Sequence, residues 1–265
     1  MTIRSFAKVN IYLKVIGIKN DYHLINSRFM LVKNLFDTIS FIKKQTKDEK
    51  FEIVGNFSCK IEENIIYKAY LELLGLKEYS QKIQNFFKYY KVKVEKNIPE
   101  FAGLGGGSSN AAFFLHLTNS VLSLDLSQKT LLGLSCRLGA DVSFFISSGK
   151  SATVEGIGDE IKKFDEDLLD LKIFTPDIKC KTPIIYKEYR KKLNKNYDKI
   201  IKNNKLLSSK IKSLKSDEIM DNFKIEELND LYEPAVLLYP GLKDYKQDGY
   251  FFSGSGSSFF RRKDG

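Results

Sequence analysis

A chain of 265 residues, 43% of them hydrophobic, can bury one large or two ordinary cores. It nowhere strings together the roughly 18 apolar residues of a bilayer span, and its start, Met1-Thr2-Ile3-Arg4-Ser5, lacks the apolar run and small-residue cleavage site of a secretory leader. A cytoplasmic protein with no membrane partner is therefore expected. The net charge of +10 is concentrated, since Lys187 to Lys215 carries eleven Lys or Arg against Glu188 and Asp198. These charges alternate with Ile200, Ile201, Leu206, Leu207, Ile211 and Leu214 at helical spacing, the pattern of a solvated helical face. Few aromatics and no known nucleic-acid module accompany them, so no nucleic-acid partner is expected, with a basic nucleic-acid-binding protein as the alternative. Cys59, Cys136 and Cys180 are odd in number and far apart, which predicts reduced thiols and no zinc site.

Residues 3–16 alternate as a strand, Ala7, Val9, Ile11, Leu13 and Val15 to one side and Phe6, Lys8, Asn10 and Tyr12 to the other. Lys8 and Asn10 thus share a face, and a lysine between Ala7 and Val9 is unlike a solvated edge. Short strands are predicted at 28–33, 36–43 and 51–55. A helix follows over 63–74 with Ile66, Ala69, Tyr70, Leu73 and Leu74 on its apolar side, then another near 80–88 and an alternating strand over 90–95. Pro99 opens a strand, glycine loop and helix, the helix expected to begin near Ser108 with Ser108 and Ser109 as its caps. Ser127 caps a helix to about Leu138, Gly139 ends it, and Asp141 falls in the loop beyond. Ser147-Ser148-Gly149 closes a unit before a strand at Ser151, so domains are expected over 1–152 and 153–265.

The loop holds four glycines within five residues, Gly103 and Gly105-Gly106-Gly107. Such a loop ahead of a helix suits phosphate, whose oxygens meet backbone N–H groups and the positive end of the helix dipole. It is not a P-loop, because Gly107 is followed by Ser108 and no lysine. Nor is it a dinucleotide fingerprint, whose third glycine would fall on Ser108 or Asn110. A nicotinamide oxidoreductase is weakened accordingly.

The run from Pro99 to Ala112, Pro-x-x-x-Gly-Leu-Gly-Gly-Gly-Ser-Ser-x-Ala-Ala, resembles the central motif of the GHMP kinases. Ser5 to Leu13 resembles their first motif, and Phe252-Ser253-Gly254-Ser255-Gly256-Ser257-Ser258 resembles their third. Ala7-Lys8-x-Asn10, Tyr22-His23, Gly139-Ala140-Asp141-Val142-Ser143-Phe144-Phe145 and Asn229-Asp230-Leu231 with Glu233 are similar to the diphosphocytidyl-methylerythritol kinases within that superfamily. Asn20-Asp21 stands where that family usually writes Asp-Gly, and Glu100-Phe101 replaces smaller or apolar residues. The chain ends at Gly265 soon after the third motif, so the family's last strand and helix are expected to be shortened.

The resemblance implies an α+β, two-domain GHMP kinase fold, with a ribosomal protein S5 domain 2-like N-terminal half, a ferredoxin-like C-terminal half and substrates in the cleft. It implies ATP-dependent phosphorylation of the 2-hydroxyl of diphosphocytidyl-methylerythritol in non-mevalonate isoprenoid synthesis, by a monomer or weak homodimer. A GHMP kinase acting on mevalonate, homoserine or a sugar is the alternative. Asp141 would be the general base and Lys8 the charge stabiliser. Pro99, Gly103, Leu104, Gly105, Gly106, Gly107, Ser108 and Ser109 would hold the ATP phosphates, and Asn64 and Lys96 would face adenosine. Tyr22, His23 and Tyr186 would hold cytosine, with Asn10 and Thr182 toward the erythritol. Mg2+ is expected with ATP, with no acidic pair assigned to it, though Ser108 or Ser109 could lend an oxygen.

Overall fold

The computed structural model describes residues 1–147 and 149–263. Ser148, within the expected boundary, and Asp264 and Gly265, at the expected shortened end, lie outside the described residues. Helices and sheets mix in an α+β architecture. Packing divides the chain into two compact units: residues 1–7, 34–98 and 105–148 form one, and residues 8–33, 99–104 and 149–265 the other. The sequence reading divides the chain once, at 152. The units instead interleave, because β1 (Thr2–Lys19) and β2 (Tyr22–Lys43) are each long enough to contribute to both.

The alternation read at the start of the chain is present, but every residue from Ala7 to Val15 is buried, so Lys8 and Asn10 lie in the interior as the apolar face does. The two strands expected at 28–33 and 36–43 are one continuous strand within β2. Exposed Lys33 and Asn34 interrupt the side-chain pattern, while the backbone ladder needs no such pattern and runs on.

In the first unit, β3 (Ile53–Val54) is all that forms of the strand expected at 51–55. A single 3-10 turn leads into α1 (Ile65–Leu74), and α2 (Lys77–Tyr89) runs directly into β4 (Tyr90–Glu95). β4 pairs antiparallel with β2, Thr38 opposite Glu95 and Lys43 opposite Tyr90, and parallel with β3. α3 (Gly106–Val121) and α4 (Gln128–Leu138) pack with α1, and α5 (Ala140–Ile146) packs on α3 and α4, to complete this unit. Its core is aromatic: Phe51, Tyr70, Phe87 and Phe114 meet at ring distances from 3.9 to 6.0 Å.

In the second unit, Ser27–Met30 of β2 pairs antiparallel with β5 (Ser151–Glu155), and β5 pairs with β6 (Glu160–Phe164). β7 (Leu171–Phe174) begins a separate sheet. The Lys-rich run is helical but divided, α6 (Thr182–Lys195) and α7 (Tyr197–Ile211) breaking at Asn196, and Leu193, Ile201, Asn204, Ser208 and Ile211 form its inward stripe. Three short helices follow, α8 (Ser216–Asn222), α9 (Ile225–Leu228) and α10 (Tyr232–Leu238). β8 (Phe251–Phe252) and β9 (Phe259–Arg262) complete the sheet in the order β7-β9-β8. Arg28, with none of its surface exposed, joins these parts: it donates to the Lys212 and Leu214 carbonyls, pairs with Glu166 at 3.4 Å and lies 3.3 Å over the Phe164 ring. Among the described residues no helix is long and apolar enough to cross a membrane.

Candidate active site

The glycine loop divides between the units. Its first arm, Pro99 to Leu104, belongs to the second unit, where the Lys8 N–H donates to the Leu104 carbonyl at 3.0 Å. The Lys8 ammonium donates to Asn10 Oδ1 at 2.7 Å and to the Gly103 carbonyl at 3.2 Å, and lies 4.5 Å from the Phe29 ring. Asn10 Nδ2 donates in turn to Ser27 Oγ at 3.0 Å. A buried ammonium needs such acceptors to offset its lost hydration.

The third glycine motif packs on this arm. Ser253 Oγ donates to the Gly103 carbonyl at 2.9 Å, and the Ser258 N–H donates to the Ala102 carbonyl at 3.1 Å. Gly103 has φ +73°, and a Cβ there would meet the Ser253 carbonyl oxygen at 2.0 Å, so both dihedral and space require glycine. Asn229 Nδ2 donates to the carbonyls of Phe252 (2.8 Å) and Gly254 (2.9 Å), holding the motif from its other side.

The second arm, Gly105 to Ser109, belongs to the first unit. α3 begins at Gly106, two residues before the expected start, with Gly105 at φ +68° as the residue ahead of it. Ser108 and Ser109 are therefore inside the first turn and are not its caps. The left-handed glycine turns the chain into the helix, leaving no side chain to cap it, and Ser109 is used otherwise: its hydroxyl donates to the Phe6 carbonyl at 2.6 Å and lies 2.7 Å from Ser5 Oγ. Ser108 is half-buried and Gly107 exposed.

Beneath this turn lies a buried polar cluster that the motifs do not announce. Lys96 pairs with Asp37, and its ammonium donates to Asn110 Oδ1 at 3.1 Å. Asp37 also accepts from the Asn97 N–H (2.7 Å), the Ile98 N–H (2.8 Å) and Asn110 Nδ2 (2.8 Å), while Asn110 Nδ2 also donates to Ser5 Oγ at 2.9 Å. A Cβ at Gly106 would lie 3.5 Å from the Lys96 ammonium. The Lys96–Asp37 ion pair thus lies under the start of α3, where Asp37 compensates the ammonium charge and the helix dipole supplies the positive end. Asn64, the other residue expected on the adenosine side, is the cap of α1, its Oδ1 accepting from the Ile66 N–H at 2.9 Å.

Asp141 is not in a loop. It stands in the first turn of α5, half-buried, because Gly139 at φ +155° lets the chain restart as a helix one residue later. A carboxylate is favoured at that helix end by the dipole.

Tyr22, His23, Thr182 and Tyr186 line one cavity of about 450 Å³ in the second unit, with Asp21, Ile25, Ile157, Pro183, Lys187 and Arg190. The His23 and Tyr186 rings are 4.9 Å apart and tilted by 38°, and Tyr189 stands behind His23 at 6.2 Å. Burial, and then the positive charge of Arg190, hold His23 below the ordinary imidazole pKa. A neutral ring nitrogen can donate or accept. Thr182 Oγ1 lies 2.7 Å from Ser255 Oγ, linking the cavity wall to the third motif; Asn10 is not among the lining residues.

These features have relatives. Residues 64–149 match the family described as GHMP kinases N terminal domain. The 4-diphosphocytidyl-2-C-methyl-D-erythritol kinase of Sulfurimonas denitrificans is 46% identical over 98% of this chain and 96% of its own length. This chain belongs to the 4-diphosphocytidyl-2-C-methyl-D-erythritol kinase family. The family's member from Campylobacter jejuni subsp. jejuni serotype O:6 is 43% identical over 98% of this chain and 99% of its own. A crystal structure of a 4-(cytidine 5'-diphospho)-2C-methyl-D-erythritol kinase superposes with a TM-score of 0.70 at 26% identity, covering 100% of this chain and 91% of that one. The fold is accordingly that of the GHMP kinases.

Sequence reasoning missed Asp37, Asn110 and Arg190. Asp37 carried a signal, since it alternates with the buried Ile39 and Phe41 and is a carboxylate on an apolar face. Arg190 is one of eleven cations in its run and carries none.

Proposed function

We propose that this chain transfers the γ-phosphoryl group of ATP to the 2-hydroxyl of 4-diphosphocytidyl-2-C-methyl-D-erythritol, in non-mevalonate isoprenoid synthesis. The observation that carries this acceptor is the convergence of Tyr22, His23, Thr182 and Tyr186 on one cavity, within the range of about 300–1,000 Å³ of small-molecule sites. The full-length likeness to kinases of that name supports it. Tyr22 and Tyr186 offer faces for a flat base, and neutral His23 offers a hydrogen bond to its edge.

In the transfer the acceptor O–H bond breaks, its oxygen bonds the γ-phosphorus, and the bond from that phosphorus to the bridging oxygen breaks to release ADP. Asp141 takes the proton, and the Lys8 ammonium balances charge on the transferring group. Backbone N–H groups from Gly105 to Ser109 and the dipole of α3 receive the triphosphate, and Lys96 lies toward the adenosine. Asn64 lies toward adenosine, and Asn10 and Thr182 toward the erythritol.

Among the described residues no group of three or more His, Cys, Asp or Glu side chains converges on a metal position. Magnesium would be held mainly by triphosphate oxygens, and Ser108 would be the hydroxyl to join it, since Ser109 is committed to Phe6. Such an ion neutralises phosphate charge. Dependence on ATP agrees with a cytoplasmic place of action.

Single-turnover transfer from labelled ATP tests the proposal, with the cytidylated acceptor offered beside mevalonate, homoserine and galactose. Transfer to the cytidylated acceptor alone, lost in Asp141→Ala, is the expected result. Transfer to another acceptor refutes the substrate, and an active variant refutes the base.

A further inference from the structure

Thr182, Tyr186 and Arg190 follow one another at four-residue spacing, which puts them on one face of α6, and all three line the acceptor cavity. The Arg190 guanidinium donates to the Asp21 carbonyl at 2.9 Å and stands 3.4 Å from Asp21 Oδ1. Asp21 is the second residue of the tight turn joining β1 to β2, where Asn20 sits at φ +54°, and it is followed at once by Tyr22 and His23. One side chain therefore ties the turn carrying two acceptor residues to the helix carrying the other two. The Asp21 carboxylate is fully exposed, so that ion pair holds little, and the bond to the carbonyl is the part that fixes position.

Two buried polar atoms at this cavity's residues have no hydrogen-bond partner among the described residues, His23 Nε2 and Arg190 Nε.

We propose that Arg190 is a positioning residue for the acceptor: by clamping the Asp21 carbonyl it keeps His23 in register with Tyr186. The inference rests on the acceptor reading above. The surroundings of His23 also set its titration. α6 presents Tyr186, Lys187, Tyr189 and Arg190, the hairpin presents Asp21 and Tyr22, and the turn between β5 and β6 adds only uncharged Ile157. Burial, and then the Arg190 charge, disfavour proton uptake by His23. Acceptor binding then weakens only as pH falls through the lowered titration of His23. Loss of Arg190 moves that weakening to higher pH, toward the ordinary imidazole value of about 6.5.

The test compares Arg190→Ala and Arg190→Lys with the parent chain. Steady-state kinetics are measured for both substrates, and His23 is titrated by NMR; the chain has two histidines, so His23→Gln assigns the signal. In Arg190→Ala the acceptor KM rises about tenfold, the ATP KM and kcat stay within about twofold, and the His23 midpoint moves up. In Arg190→Lys the charge is kept, so the midpoint stays near the parent's, while the acceptor KM still rises because the shorter lysine stem lacks the rigid guanidinium fork that reaches the Asp21 carbonyl. An Arg190→Ala chain with parental acceptor KM and parental His23 midpoint overturns the inference. So does a variant that loses kcat with the acceptor KM unchanged. If the parent chain does not phosphorylate the cytidylated acceptor, the proposed function fails. The titration, which needs no substrate, still decides the coupling of Arg190 to His23: a midpoint unmoved in Arg190→Ala refutes it.

Discussion

Replacing Asp37 tests whether the buried polar cluster holds the glycine turn at the start of α3. Asp37 is wholly buried and accepts four hydrogen bonds, from Asn97 N–H, Ile98 N–H, Asn110 Nδ2 and the Lys96 ammonium, whose side chain is only 9% exposed. Asp37→Ala leaves that ammonium without its counter-charge and three neutral donors unmet. Removing one partner of a buried pair costs about 3–5 kcal/mol, out of a total stability of about 5–15 kcal/mol. Asp37→Asn keeps the volume and can still accept from the two backbone N–H groups, but it turns an NH2 toward Lys96 and Asn110. The loss is then that of a charge-assisted bond, about 1.5–3 kcal/mol. Urea unfolding followed by tyrosine fluorescence measures both, since the chain has 14 Tyr and no Trp. The expected order of midpoints is parent, Asn, Ala, with the ATP KM raised in Asn because Lys96 is no longer held under α3. Both variants within about 0.5 kcal/mol of the parent would show that the cluster is not what holds this turn.

Gly103→Ala is expected to fold poorly, since its Cβ would lie 2.0 Å from the Ser253 carbonyl oxygen at a φ of +73°; Gly107→Ala meets only Ile65 Cγ2 at 3.6 Å, so it should keep the parent's thermal midpoint and raise the ATP KM alone. Asp141→Asn should lower kcat by about 100-fold or more with the ATP KM little changed, as loss of a general base does; a kcat within about threefold of the parent refutes the assignment. Exposed Cys59 and Cys136 should react with a thiol reagent in the native state, whereas Cys180 should react only on unfolding, because burial pushes its thiol up to about 11 and leaves little thiolate at neutral pH. A third equivalent titrated without unfolding would contradict the burial of Cys180.

What the sequence disclosed follows from where side-chain chemistry and backbone chemistry coincide. β1, α1 and β4 were legible because their apolar periodicity matches their backbone period. The join between 28–33 and 36–43 was not, because Lys33 and Asn34 break the side-chain pattern over a ladder that depends on backbone groups alone. The start of α3 was misread for a related reason: serines signal a cap through their hydroxyls, whereas here a left-handed Gly105 starts the helix and Ser109 turns inward to Phe6. Asp141 was placed in a loop beyond α4 instead of in the first turn of α5, since Gly139 both ends α4 and begins α5.

The cavity lined by Tyr22 and Tyr186 shows the limit more sharply, because its walls come from Asp21 to His23 and Ile25, from Ile157 and from the stretch between Thr182 and Arg190. Nothing in their local patterns relates these segments, and Tyr22, His23, Thr182 and Tyr186 were identifiable only through likeness to a family. Arg190 lacked even that, being read as one cation on a solvated face. The face is real: Lys191 and Lys192 of the same helix reach outward to Glu188 and Glu233. A helix that turns 100° per residue, however, sets Arg190 away from both neighbours and in line with Tyr186, four positions earlier. A run of like charges therefore has no single role along its length. The helical period assigns each cation to solvent or cavity, and in α6 it directs Lys187 and Arg190 to the cavity that Tyr186 lines.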